Sequence, residues 1–142
     1  MRYQFLGNIT RDSEGEVVPR PAYCRFPDTA EQAVLPTDQL VVVYEGSVAV
    51  GPAQRDVSAK WSPLAELLDA AETVFALMNS DSRPTGQYFR SMCVGDVVLF
   101  PEAEVALAAL SFGFAVLADC PAPVSGLSEL ELLAAFRTGS LA

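Results

Sequence analysis

The chain has no histidine. That absence removes the Ser-His-Asp and Cys-His catalytic arrangements, and the usual histidine metal sites with them. Lysine is almost missing too, with Lys60 its sole representative. Nine basic residues stand against eighteen carboxylates, giving a net charge of −9 and a pI near 4.3. An acidic surface repels phosphate backbones, and the cations form no stripe, so no direct nucleic-acid contact is expected. Cys24, Cys93 and Cys120 are widely spaced and include no C-x-x-C pair. The odd count and the missing pair argue against a disulfide framework or zinc site and leave free buried thiols as the expectation. The most apolar run, Val105 to Ala118, is about 14 residues, short of the roughly 20 that cross a bilayer. Residues Met1 to Asn8 carry too few apolar residues for a signal peptide. No membrane partner and cytoplasmic residence are therefore expected.

What is present fits one domain over residues 1–142, long enough to bury a core. The hydrophobic fraction of 51% is on the apolar side for so short a chain. Part of it is alanine and valine, not all of it need be core, and a homodimer or other protein contact is the expectation for the rest. Residues 1–38 read as an irregular N-terminal extension. Met1 to Ile9 forms an edge strand, Arg11 to Glu16 a polar turn, and Pro19, Pro21, Pro27 and Pro36 leave room only for a short strand at Ala22 to Phe26. Gln39 to Val50 is the clearest central strand, and the run Leu40 to Tyr44 implies burial on both faces.

Ser62 to Met78 carries the strongest helical pattern. Leu64, Leu67, Leu68, Ala71, Val74, Phe75 and Met78 fall on one stripe, with Ser62 as N-cap, Pro63 at the first position and Asn79 closing the end. Val97 to Phe100 is a strand. Residues 101–110 have helix propensity and an N-terminal proline, yet they also fit the second arm of a hairpin turning at Pro101-Glu102-Ala103. Ser111 to Leu117 alternates large and small residues, as a strand with a close-approach glycine at Gly113 would. Residues 127–137 form a C-terminal helix: Ser128 and Glu131 make a capping box, Leu127 staples onto Leu132, and Gly139 stops it.

No pattern of side chains assembles a catalytic, cofactor or metal site. Glu102 and Glu104 read as a solvated hairpin turn. Asp12, Glu14 and Glu16 lack the glycine and distal glutamate of a calcium loop. Gly46, Gly51, Gly95 and Gly113 are not followed by Gly-Lys-Ser/Thr, and no Gly-x-Ser-x-Gly elbow occurs. Trp61 reads as a core-edge residue. The loop Asn79 to Ser91 is richer. Asp81, Arg83, Gln87, Tyr88, Phe89 and Arg90 make a candidate interaction surface held by the scaffold. Arg90 has two alternatives there, pairing with Asp96 or capping helix-end carbonyls. In Arg90-Ser91-Met92-Cys93-Val94-Gly95-Asp96, Gly95 suits positive φ and Asp96 can bond neighbouring amides. Asp96 is thus expected to brace the turn, a local cap whose loss costs roughly 1–2 kcal/mol.

Four segments occur in a suggestive order: Val42-Val43-Tyr44-Glu45-Gly46, Leu67 to Asn79 ending in Phe75-Ala76-Leu77-Met78-Asn79, Arg90 to Val98, and Ser111-Phe112-Gly113-Phe114. Over about residues 40–118 this resembles the YodL-like domain of mobile-element proteins and uncharacterised actinobacterial proteins. That family shows a Tyr-x-Gly strand, a Phe-x-x-x-Asn helix end, a Ser-Met/Leu-Ser-Val-Gly/Ser-Asp-Val-Val motif and a Gly-Phe strand. Cys93 stands where the third motif usually has serine. The resemblance implies a sheet, with residues 104–110 as strand, and gives Asn79, Ser91, Gly95, Asp96 and Gly113 structural roles. It implies no enzymatic activity and no cofactor.

The expected fold is α+β: a mostly antiparallel sheet of four to six strands, one main packed helix and a short C-terminal helix. The expected function is a non-enzymatic accessory or adaptor protein of a mobile genetic element or phage, acting through protein–protein contacts. Arginine supplies all but one of the cations, in keeping with a GC-rich coding genome. An acidic anti-restriction or anti-defence DNA mimic is the alternative, and a small enzyme using Arg90 and Asp96 ranks third.

Overall fold

Tyr3, Phe5, Gly7 and Ile9 alternate with Gln4, Leu6 and Asn8, a period of two that strand geometry converts into two faces. The computed structural model describes residues 1–11, 17–18, 27–35, 38–51, 63–86 and 88–133. In it this stretch is β1 (Arg2–Arg11). After it come β2 (Val17–Val18), α1 (Ala30–Ala33), β3 (Asp38–Ser47) and α2 (Pro63–Met78). β4 (Val97–Phe100), β5 (Val105–Ala109) and β6 (Phe114–Val116) complete the strands, and residues 129–133 are helical (α3). The six strands form one sheet whose ladders are all antiparallel, so the expected α+β architecture is the one observed.

The expected N-terminal edge strand is instead central. β1 pairs β3 along one side from Arg2 to Thr10, and β4 along the other at Gln4 to Leu6, where β2 continues the ladder at Thr10 and Arg11. Both of its faces are buried, by Tyr3, Phe5 and Ile9 on one side and by Leu6 and Asn8 on the other. The N-terminal stretch read as an irregular extension therefore supplies the middle strand of the sheet. Conversely β3, expected to be central, has a ladder on one side only among the described residues. Its free side is capped locally, where the Val42 amide donates to the Val124 carbonyl at 2.8 Å and the Val124 amide to the Leu40 carbonyl at 2.9 Å. Its apolar run is still explained, because the sheet has a packed cluster on each face.

The larger cluster joins Leu67, Ala70, Ala71, Val74 and Met78 of α2 to Tyr3, Phe5, Val43, Val98, Phe100 and Leu107. The helix is turned slightly from its expected stripe: Ala70 is buried and Leu64 exposed. The opposite cluster sets Ala33 of α1 against Leu6, Leu40, Val97, Leu99, Ala106 and Ala108. α1 starts at a capping box of Thr29 and Gln32. A third group holds Leu132 of α3 against Ile9 and Val41, with Leu127 packed beside them. The expected box is present too, the Glu131 amide donating to Ser128 Oγ at 3.2 Å.

The expected hairpin turns at residues 101–104, and the residues after it form a strand, not a helix. Phe100 pairs Val105, and Glu102 and Glu104 stay exposed. Glu104 has φ 54°. Gly113 differs from expectation: it precedes β6 with φ 74° and open space where a Cβ would sit. It is a turn glycine, not a close-approach one. The polar turn and its Asp12, Glu14 and Glu16, the Ala22–Phe26 strand, Cys24, Trp61, Ser62 and Gly139 lie outside the described residues. Among the described residues, no helix is long and apolar enough to cross a membrane.

Candidate functional site

The segment from Asn79 to Asp96 folds back on the sheet rather than standing off it. At its start the Asn79 side-chain amide donates to the Phe75 carbonyl at 2.9 Å and to the Met92 carbonyl at 3.1 Å. The Phe-x-x-x-Asn spacing thus has a physical cause: one turn separates the asparagine from the helix carbonyl it caps. Asn79 also ties that end to the strand-ward chain.

Phe89, expected on an interaction surface, belongs to the core. Its ring meets Phe5 edge-on with centroids 5.3 Å apart and lies directly over Gly7. A Cβ on Gly7 would come 2.6 Å from Phe89 Cζ, so the strand glycine makes the room that draws the loop inward. Tyr88 is half-buried, donating its hydroxyl to the Val43 carbonyl at 3.4 Å. Burial and the nearby Glu129 raise its pKa. Asp81 is exposed, Arg83 is half-buried with an enclosed Nε, and Gln87 lies outside the described residues. The candidate surface is therefore much smaller than the loop's composition implied.

Arg90 takes the first of its two alternatives. Its guanidinium stacks over the Phe89 ring at 4.7 Å and grips Asp96 with two nitrogens. Asp96 is fully buried. Its Oδ2 also accepts from the Cys93 amide at 2.8 Å, and its Oδ1 from the Asn8 amide at 3.0 Å. Gly95 makes the tight turn at φ 95°. Asn8, whose importance went unread, completes the junction by donating its side-chain amide to the Gly95 carbonyl at 2.9 Å and to Asp38 Oδ2 at 3.2 Å. A polar residue inside Phe5-Leu6-Gly7-Asn8-Ile9 was the available signal. With Asp96 enclosed in this way, its carboxylate is not presented to a substrate, so the Arg90–Asp96 pair braces the fold. Cys93 is half-buried: burial pushes its thiol pKa up, against the lowering effect of neighbouring Arg90. Ser91 is half-buried, and its carbonyl accepts from Arg90 Nη1 at 3.1 Å and from Cys93 Sγ at 3.4 Å. Cys120, expected buried, is exposed. Among the described residues, no cluster of three His, Cys, Asp or Glu side chains could hold a metal ion.

The surface with chemistry left to use is elsewhere. β6 pairs only β5 among the described residues. The Leu110 amide donates to the Gly113 carbonyl and the Leu117 amide to the Ala106 carbonyl, each at 2.9 Å. Bonded pairs alternate along an antiparallel ladder, so Ala115 faces β5, while Phe114 and Val116 turn their N–H and C=O groups outward. Beside this open edge Phe112 is 93% exposed and Val116 46%. The turn that presents Phe112 is anchored, because Ser111 Oγ donates to the Pro27 carbonyl at 3.3 Å. The sequence showed Phe112-Gly113-Phe114 as a strand motif, and only the turn at Gly113 separates the exposed ring from the packed one. Comparison of the chain with models of protein families, with curated proteins and with solved structures finds no match.

Proposed function

We propose that this chain is a non-enzymatic accessory or adaptor protein acting through protein–protein contacts, with the β6 edge as its contact surface. The observation that carries this reading is Phe112, a phenylalanine 93% exposed on an anchored turn beside strand backbone that pairs with nothing further among the described residues. Large exposed aromatics next to an open edge are costly to leave wet and suit strand addition by a partner. Its assignment to a mobile genetic element or phage rests on the YodL-like resemblance of residues 40–118. The structural work done by Asn79, Gly95 and Asp96 is consistent with the roles that resemblance gives them.

The test is affinity capture from the native host with wild-type chain and Phe112→Ser, at two salt concentrations. Retention of a protein partner, or of a differently tagged copy, by wild type and its loss in the variant is expected. Recovery of the bait alone in both cases overturns the proposal.

A second reading, the acidic DNA mimic, draws on exposed carboxylates away from the β6 edge. Arg2 is neutralised by Glu102 at 3.1 Å and Arg90 by Asp96, while Asp69 and Glu72 of α2 stay exposed. Inhibition of a restriction endonuclease by the purified chain, relieved by added salt, would favour it over the adaptor.

A further inference from the structure

We propose that the β6 edge is filled by β6 of a second copy of this chain, paired antiparallel about a two-fold axis through Ala115. This rests on the edge being a contact surface and names its occupant. The backbone requires outward-facing residues opposite one another, and an axis at Ala115 is the one that pairs the whole of β6 with itself. Phe114 and Val116 point their N–H and C=O groups outward and Ala115 does not, so an axis at Ala115 sets Phe114 against Val116 of the second copy, and Val116 against its Phe114. Each such pair is a bonded one, so the outward donors and acceptors of both strands are satisfied at once. An offset of one residue would set inward-facing groups against outward-facing ones and satisfy neither.

Side chains agree with this register. Phe114 and Val116 lie on the α2 face, opposite Ala109 and Leu107, and the Phe114 ring already packs edge-on against Phe75 with centroids 6.2 Å apart. Pairing would bring the half-exposed Val116 beside the second copy's Phe114, an aromatic–β-branched pair of the kind that stabilises sheets. Phe112 would reach the position opposite Ala118. An isologous contact needs this kind of self-complementarity.

Charge selects the site. A chain of net charge −9 resists meeting its own copy, yet Val105 to Ala118 contains no charged residue and no proline. Those are the devices with which edges are ordinarily protected from pairing. Asp119, the next carboxylate, lies four residues beyond the axis. The two copies of it would be about 25 Å apart, well past a Debye length of roughly 8 Å in physiological salt. The paired strands are short, so the interface falls below the roughly 1,200 Å² of standard complexes and dimerisation should be weak and concentration-dependent.

The experiment is cysteine cross-linking with Cys24→Ser and Cys120→Ser as background. Ala115 would face itself as a non-bonded pair, with Cα atoms about 4.5 Å apart, within disulfide reach. Mild oxidation of Ala115→Cys is expected to give a covalent dimer, while Val116→Cys, which faces Phe114, gives little. Sedimentation equilibrium should show wild type associating with rising concentration. Val116→Lys should weaken that association at least tenfold with an unchanged circular dichroism spectrum. Equal cross-linking at 115 and 116, or a monomer up to millimolar concentration, overturns the proposal. If the chain is monomeric while Phe112→Ser still loses a different captured protein, the second copy is the wrong occupant and the contact-surface reading stands.

Discussion

Arg90 holds Asp96 through both terminal nitrogens, Nη1 on Oδ2 at 2.6 Å and Nη2 on Oδ1 at 2.9 Å. Two backbone amides, of Asn8 and Cys93, complete the carboxylate's shell. The cost of losing this group is set by a buried, paired charge and not by a local cap. Asp96→Ala should destabilise the protein by about 3 kcal/mol, more than the cap-sized loss expected from sequence. Asp96→Asn keeps the shape and should cost less. Urea unfolding checks both, and a loss of only about 1–2 kcal/mol for Asp96→Ala would return Asp96 to the status of a simple turn brace.

Gly7 has no room for a methyl group. Its Cβ would meet Phe89 Cζ at 2.6 Å and Val43 Cγ2 at 2.8 Å. Gly7→Ala should cost about 1–3 kcal/mol through overpacking. Phe89→Leu in the same chain should recover part of that loss, which a double-mutant cycle would measure as coupling.

Tyr3 sets an alkaline limit. Its pKa is pushed up to about 12, mainly by burial and then by Tyr44. Between the unfolded value near 10 and about 12, the native state keeps a proton that the unfolded chain has lost, so stability falls as pH rises through that window. Below pH 10 this group contributes no pH dependence. Thermal melts of Tyr3→Phe should show a shallower fall above pH 10 than wild type. An identical slope would mean that the other tyrosines carry the effect.

Asn79 should behave as a clamp. Asn79→Ala removes two side-chain hydrogen bonds and should cost about 1 kcal/mol. Faster hydrogen exchange would be expected in the last turn of α2 and near Met92, with β4 unaffected.

Locally specified features were legible in the sequence. The period of α2, the Ser128–Glu131 box and the hairpin at Pro101 each depend on residues a few positions apart, and each is present. The strand over 105–109 needed more, because Val105-Ala106-Leu107-Ala108-Ala109 favours helix and only pairing with β4 decides otherwise. Whether a strand is central or outer is likewise set by distant partners. β1 and β3 both look like strands in isolation, and nothing local says that, among the described residues, β1 has ladders on two sides and β3 on one. The loop from Asn79 to Ser91 misled for a related reason. Its polar and aromatic composition suits a surface, but the space for Phe89 is made by Gly7 and the charge on Arg90 is met by Asp96. Phe112 was hidden by its neighbours, since a glycine between two phenylalanines does not reveal which ring turns outward.

The junction of Asn8 with Asp96 joins residues 88 apart in sequence. Closing a loop of that length costs roughly 4 kcal/mol of chain entropy before any contact repays it. β1 can pair with β2 and β3 as soon as those strands are made, but its ladder with β4 must wait for Val97 to Phe100, and the sheet stays open until then. Folding should be slow for a protein of this size, with a rate governed by topology more than by stability.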